Sequence, residues 1–135
     1  MNLHTTLLFL GQLDTEQQFD VTQDAGKLII EPMSLTFDQL SYWKKPAVLC
    51  LTSSQVDQNS LRLNQQLSAI ARKHRIPIDD RPFTPHVTLC KKAHAPVQLK
   101  FKPVQWQSKD FCLVESLSTA HGVKYQVLKR WSSVI

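Results

Sequence analysis

Two short segments of this chain echo each other: His4-Thr5-Thr6-Leu7 near the start and His86-Val87-Thr88-Leu89 well past the middle. Each opens a run rich in β-formers, Leu3 to Leu10 and His86 to Cys90, and Gly11 closes the first. Side chains of an extended strand alternate between its faces, so residues i and i+2 point the same way. His4 and Thr6 then share one face, as do His86 and Thr88, while Thr5, Leu7, Val87 and Leu89 look to the other. The fold must therefore accommodate two apolar strands that each present a histidine and a threonine together. If the two strands lie side by side, two imidazoles and two hydroxyls line one cleft.

The rest of the chain reads as alternating elements. Asp14-Thr15-Glu16 begins a helix over 14–26 that is thin in apolar residues and ends at Gly26. Residues 28–42 alternate as a strand, a break at Pro32 and a second strand. Ala47 to Leu51 has the wholly apolar look of a buried central strand. Lys44-Lys45-Pro46 before it suits a hairpin connection. Residues 57–74 give the clearest helix, with Leu63, Leu67, Ile70, Ala71 and His74 on one face. Pro77 stops it, and the prolines at 77, 82 and 85 stiffen the loop that follows. Residues 93–108 read as irregular. Phe111 to Leu117 and Tyr125 to Trp131 read as two strands joined around His121-Gly122. These elements together predict a mixed α+β fold with strands in more than one sheet.

Length and composition fit one ordinary globular domain over residues 1–135. The net charge of +5 favours anionic partners such as nucleic acid or nucleotides. Cys50, Cys90 and Cys112 each sit in an apolar run and read as small buried hydrophobes, which suits a reducing compartment. No apolar stretch reaches the roughly 18 residues of a membrane span, and no basic n-region opens the chain. The expected location is the cytoplasm, without a membrane partner.

The paired His-x-Thr segments suit phosphate-ester cleavage. One imidazole can deprotonate a water or hydroxyl, and the other, as imidazolium, can protonate the leaving alkoxide. The threonine hydroxyls can donate to the non-bridging phosphate oxygens, where charge gathers. No metal or other cofactor is called for. The five histidines show no zinc-ligand spacing, and three glycines leave no room for a phosphate loop or dinucleotide fold. No Gly-x-Ser-x-Gly elbow occurs.

Residues 2–11, N-L-H-T-T-L-L-F-L-G, resemble the first signature of the two-histidine (2H) phosphoesterase superfamily. Within it, the resemblance is to the bacterial 2'-5' RNA ligase, or RNA 2',3'-cyclic phosphodiesterase, branch. Residues 81–89, R-P-F-T-P-H-V-T-L, resemble its second signature, and Y-Q-V-L-K-R-W at 125–131 is similar to its ending. The resemblance implies a bilobal fold with pseudo-twofold symmetry, antiparallel sheets around a central cleft and helices outside. It makes His4 and His86 the catalytic pair and Thr6 and Thr88 phosphate-binding hydroxyls. The implied reaction is metal-independent opening of RNA 2',3'-cyclic phosphate ends to 2'-phosphates, with a reversible 2'-5' ligation of RNA halves as an associated activity. By analogy His4 acts as acid on the departing 3'-oxygen and His86 as base on water; the pseudo-symmetry leaves the opposite assignment open.

Two departures accompany the resemblance. Members usually carry a further strand and helix before the first signature, so an N-terminally short domain is expected here, with a sheet edge exposed. Lys91 stands where close relatives often have arginine, keeping the charge but losing the bidentate fork.

Around the two motifs, Arg81 and Lys91 are candidate phosphate contacts, although Arg81 could equally pair with Asp79 or Asp80. Phe83 and Tyr125 are candidates for stacking on a base. Tyr42 and Trp43 read first as core residues, and His74 as structural. Two other functions fit the same cleft: a nucleotide- or RNA-binding module with little catalysis, and a phosphodiesterase for small-molecule cyclic phosphates.

Overall fold

The computed structural model describes residues 3–133. Helix α1 (Thr15–Ala25) starts at Asp14, whose carboxylate accepts the Gln17 N–H at 2.7 Å while the Gln17 side chain accepts the Asp14 N–H at 3.2 Å. This reciprocal cap satisfies two donors that a helix end leaves open. Strands β1 (Met33–Phe37), β2 (Gln39–Trp43) and β3 (Val48–Thr52) follow. Helix α2 (Gln58–Lys73) is capped by Asp57, which accepts the Ser60 N–H at 2.9 Å, and carries Arg72 and Lys73 in its last turn, where the helix dipole favours cations. It ends at His74, and Arg75 turns left-handed at φ 59°, ahead of Pro77. Strands β4 (His86–Lys91), β5 (Val104–Ser108), β6 (Asp110–Thr119) and β7 (Gly122–Ser132) complete the order.

All sheet pairs are antiparallel. They form a two-stranded sheet β1-β5, a three-stranded sheet β2-β3-β4 and the hairpin β6-β7. The mixed α+β reading with several sheets holds, and the apolar run Ala47 to Leu51 falls on β3, the central strand of its sheet. No helix among the described residues is long and apolar enough to cross a membrane.

Three expectations need correction. Residues 3–10 join no sheet among the described residues. They run extended against the helices instead: the Leu7 carbonyl accepts from Asn64 Nδ2 at 2.7 Å. Leu7 packs on the cluster of Ala25, Ile30, Met33, Leu63 and Phe111, and Leu8, Leu10 and Leu13 pack on that of Val21, Ile70, Ala71 and Ile76. The β-rich composition was met by side-chain packing, not by a ladder. Residues 93–108 are not wholly irregular, because β5 pairs with β1, setting Trp106 opposite Leu35 and Val104 opposite Phe37. Cys90 is exposed and Cys112 half-buried; only Cys50 is a buried hydrophobe. Cys90 lies near the end of β4, past an irregularity in its pairing with β3.

The third core cluster positions the site. Leu35 and Phe37 from β1 meet Val87 from β4, with Leu51 against them. Burying Val87 fixes which side of β4 faces the core and so turns His86 and Thr88 to the other side.

The helices are also joined by charge. His74 Nε2 lies 2.6 Å and Lys73 Nζ 3.0 Å from Asp24 on α1. The hydrogen bond to His74, then that to Lys73, hold the Asp24 carboxyl below its ordinary 3.8, at about 2. A carboxylate with a depressed folded value stabilises the fold above its unfolded value, and that contribution fades as pH falls toward the folded value. Asp24→Asn is therefore expected to lower stability at neutral pH and to flatten the loss of stability between about pH 4 and 2. Urea midpoints measured across that range check this; parallel pH profiles for variant and wild type would contradict it.

Candidate active site

The second motif is set by strand pairing. His86 lies opposite Thr52 and Thr88 opposite Cys50, so both project on the side of the sheet that carries those residues of β3. Strict alternation would send Lys91 to the reverse side. The register shifts between Leu49 and Cys50, however, and Lys91 pairs with Val48, which shares its face with Cys50 and Thr52. The bulge thus turns Lys91 to the His86 side, the way a bulge re-aims a side chain. Nothing in the spacing of the sequence announces it.

His86 is held at two points. Its Nδ1 lies 2.9 Å from the Thr84 carbonyl. A carbonyl only accepts, so Nδ1 carries the hydrogen and Nε2 of the neutral ring has the free lone pair. Its ring also meets the Trp43 indole edge-on, with centroids 4.7 Å apart and planes at 69°. Trp43 belongs to β2 and reaches across β3 to do this. It is half-buried, belongs to none of the buried core clusters, and is the residue that sequence reasoning undervalued. Its place just before the Lys44-Lys45 turn was the available signal.

Behind Thr88, Cys50 Sγ lies 3.8 Å from Oγ1. Burial pushes the Cys50 thiol up, so it stays protonated at neutral pH. Its S–H can point at Oγ1, leaving the threonine hydroxyl hydrogen to be donated outward.

The first motif keeps the expected alternation without a ladder: His4 and Thr6 are exposed while Thr5 and Leu7 are half-buried. The His4 ring packs on Tyr125 of β7, with centroids 4.8 Å apart and planes tilted by 59°. Tyr125 thus meets a histidine of the motif. Four leucines pinned to the two helical clusters hold the backbone that carries His4 and Thr6.

The remaining candidates are placed less centrally. Arg81 is highly exposed and paired with Asp79, with Nε at 2.7 Å and a terminal nitrogen at 2.5 Å from the same carboxylate oxygen. Each partner favours the other's charged form: Arg81 is held above its ordinary value and Asp79 below it. A phosphate contact from Arg81 would have to exchange this partner. Phe83 is half-buried in the proline-stiffened loop. Tyr42 is half-buried, and its hydroxyl donates to the Ala93 carbonyl at 3.3 Å.

The family model described as the 2'-5' RNA ligase superfamily matches residues 1–119. The RNA 2',3'-cyclic phosphodiesterase of Escherichia coli is 29% identical over 133 residues, spanning 97% of this chain and 76% of that protein. The enzyme of the same name from Thermus thermophilus is 31% identical over 144 residues, spanning 96% and 71%. The crystal structure of Escherichia coli LigT complexed with 3'-AMP superposes with a TM-score of 0.90 at 28% identity, covering 99% of this chain and 78% of that one.

Proposed function

Because the chain belongs to the 2'-5' RNA ligase superfamily, we propose that it hydrolyses 2',3'-cyclic phosphates at RNA ends to 2'-phosphates, using His4 and His86. The observation that carries the reading is the fixed tautomer of His86. Its Nδ1–H is tied to the Thr84 carbonyl, and Nε2 remains on the sheet side that also carries Thr88 and Lys91.

In the neutral imidazole Nε2 has the free lone pair, which is what a general base needs. His86 then takes a proton from water as the water oxygen attacks phosphorus. The bond from phosphorus to the 3'-oxygen breaks, and His4, as imidazolium, gives that oxygen its proton. The products are a 2'-phosphomonoester and a free 3'-hydroxyl. Thr6 and Thr88 donate to the non-bridging oxygens, and Lys91 adds a positive charge on the same side as Thr88. Tyr125 against His4 and Trp43 against His86 fix the two rings and offer aromatic surface for a base, as single-stranded RNA sites do. Relatives bear the name RNA 2',3'-cyclic phosphodiesterase, and a solved relative holds a nucleotide, 3'-AMP. Both support RNA or nucleotide ends as the substrate class.

The test is the product formed in water enriched in oxygen-18 from an oligoribonucleotide ending in a 2',3'-cyclic phosphate. The reading predicts a 2'-phosphate carrying one heavy oxygen. A 3'-phosphate product would mean that the 2'-oxygen is the leaving group and would overturn it.

A further inference from the structure

Four lysines meet at one corner of the three-stranded sheet. Lys44 and Lys45 lie in the turn that joins β2 to β3. Lys91 ends β4 opposite Val48, where that turn runs into β3, and Lys92 follows it. The two segments are fastened together: the Ala93 N–H donates to the Ala47 carbonyl at 2.8 Å, and Tyr42 bonds the Ala93 carbonyl. Ala47 and Lys92 both adopt left-handed backbone, at φ 65° and 57°, a region that residues with a side chain seldom occupy. The corner is thus a built feature, held in place by contacts from both sides.

All four ammonium groups are exposed, and among the described residues none is in an ion pair. Lys27, Arg62, Arg72, Lys73, Arg81 and Arg130 each meet a carboxylate, while Arg75, Lys100, Lys102, Lys109, Lys124 and Lys129, like the four corner lysines, are in none of these ion pairs; what sets the corner apart is that four such charges share two fastened segments. Four like charges with no counter-charge repel one another and create a local positive potential that a polyanion relieves. The corner is also linked to His86. Lys44 follows Trp43, whose ring lies on His86, and Lys91 shares the His86 side of the sheet.

We propose that Lys44, Lys45 and Lys92 form a subsite for the internucleotide phosphates of a single RNA strand whose cyclic end is held at His86. The proposal rests on the cyclic phosphodiesterase reading and deepens it: the preferred substrate is a polynucleotide, not an isolated nucleoside cyclic phosphate. A strand anchored by its end in the cleft delivers regularly spaced phosphates to an adjoining basic rim. This favours RNA over an acidic protein, which has no such tether.

The test compares wild type with the triple variant Lys44→Gln, Lys45→Gln, Lys92→Gln on two substrates across a salt series. One is a nucleoside 2',3'-cyclic monophosphate, the other a short oligoribonucleotide with the same cyclic end. Wild type is expected to show the lower KM for the oligonucleotide. The variant should raise that KM about tenfold at low salt and reduce the slope of log KM against log salt by about 2, at roughly 0.7 counterion per single-strand phosphate neutralised. Turnover of the monophosphate should be unchanged. Equal KM values for the two substrates in wild type, or a preference that survives the triple substitution, would overturn the subsite and leave the phosphodiesterase reading standing. Failure of folded wild type to turn over either substrate would overturn that reading, and the subsite with it.

Discussion

His86→Ala is expected to lower kcat on a 2',3'-cyclic phosphate end by about 10²–10⁴-fold, the range by which a positioned acid–base group contributes. The fold should survive. His86 opens β4 and is half-buried, and its ring meets the Thr84 carbonyl and the Trp43 indole at the sheet surface, away from the cluster that holds Val87. Removing it deletes one hydrogen bond, worth about 1 kcal/mol, and leaves Val87 in the core. Substrate binding should fall much less than kcat, because Thr6, Thr88 and Lys91 remain. His4→Ala should behave alike, and the double variant should cost little more than either single one, because acid and base act as a unit. Steady-state kinetics with a denaturation midpoint for each variant check this. A folded His86→Ala protein that turns over at the wild-type rate would remove His86 from the mechanism.

Phe37→Ala is expected to cost about 3–5 kcal/mol of stability, the range for truncating a buried aromatic side chain. Phe37 is 1% exposed and shares a core cluster with Leu35 and Val87. Against a total of roughly 5–15 kcal/mol for a folded domain, that loss is large. It also acts on the site. Val87 loses the surface that fixes the face of β4, so His86 and Thr88 become less firmly aimed. Urea unfolding gives the stability change, and kcat measured well below the transition gives the second effect. A cost under about 1 kcal/mol would mean that the neighbouring side chains close the space left behind.

The sequence made some parts of this molecule legible and hid others, for separable reasons. His86 and Thr88 were readable because β4 is a regular strand with one buried neighbour, Val87, and period-two facing follows directly. His4 and Thr6 face together for the same reason of extended backbone, although residues 3–10 form no ladder; the facing of side chains survives where the pairing does not. Helix α2 was readable from its apolar face and from Pro77 beyond its end. What stayed hidden depends on pairing between distant segments. The register shift that turns Lys91 to the His86 side is a property of β3 and β4 together. Strand β5 has a polar–apolar alternation, Val104-Gln105-Trp106-Gln107, but Pro103 and the irregular approach masked it, and both apolar side chains remain exposed. Trp43 looked like core because aromatic residues near a central strand usually are, and only the meeting of β2 with β4 brings its ring to His86. Arg81 shows the reverse: the neighbouring Asp79 in the sequence already offered the ion pair that the structure contains.

The most direct measurement is the rate at which the wild-type chain, in EDTA, opens the cyclic phosphate of an oligoribonucleotide. Two histidines acting as base and acid predict sustained turnover to a 2'-phosphate end with chelator present and no response to added divalent cation. A folded chain that binds the oligonucleotide but leaves the cyclic end intact, or turns it over only when a divalent cation is restored, would contradict the two-histidine account.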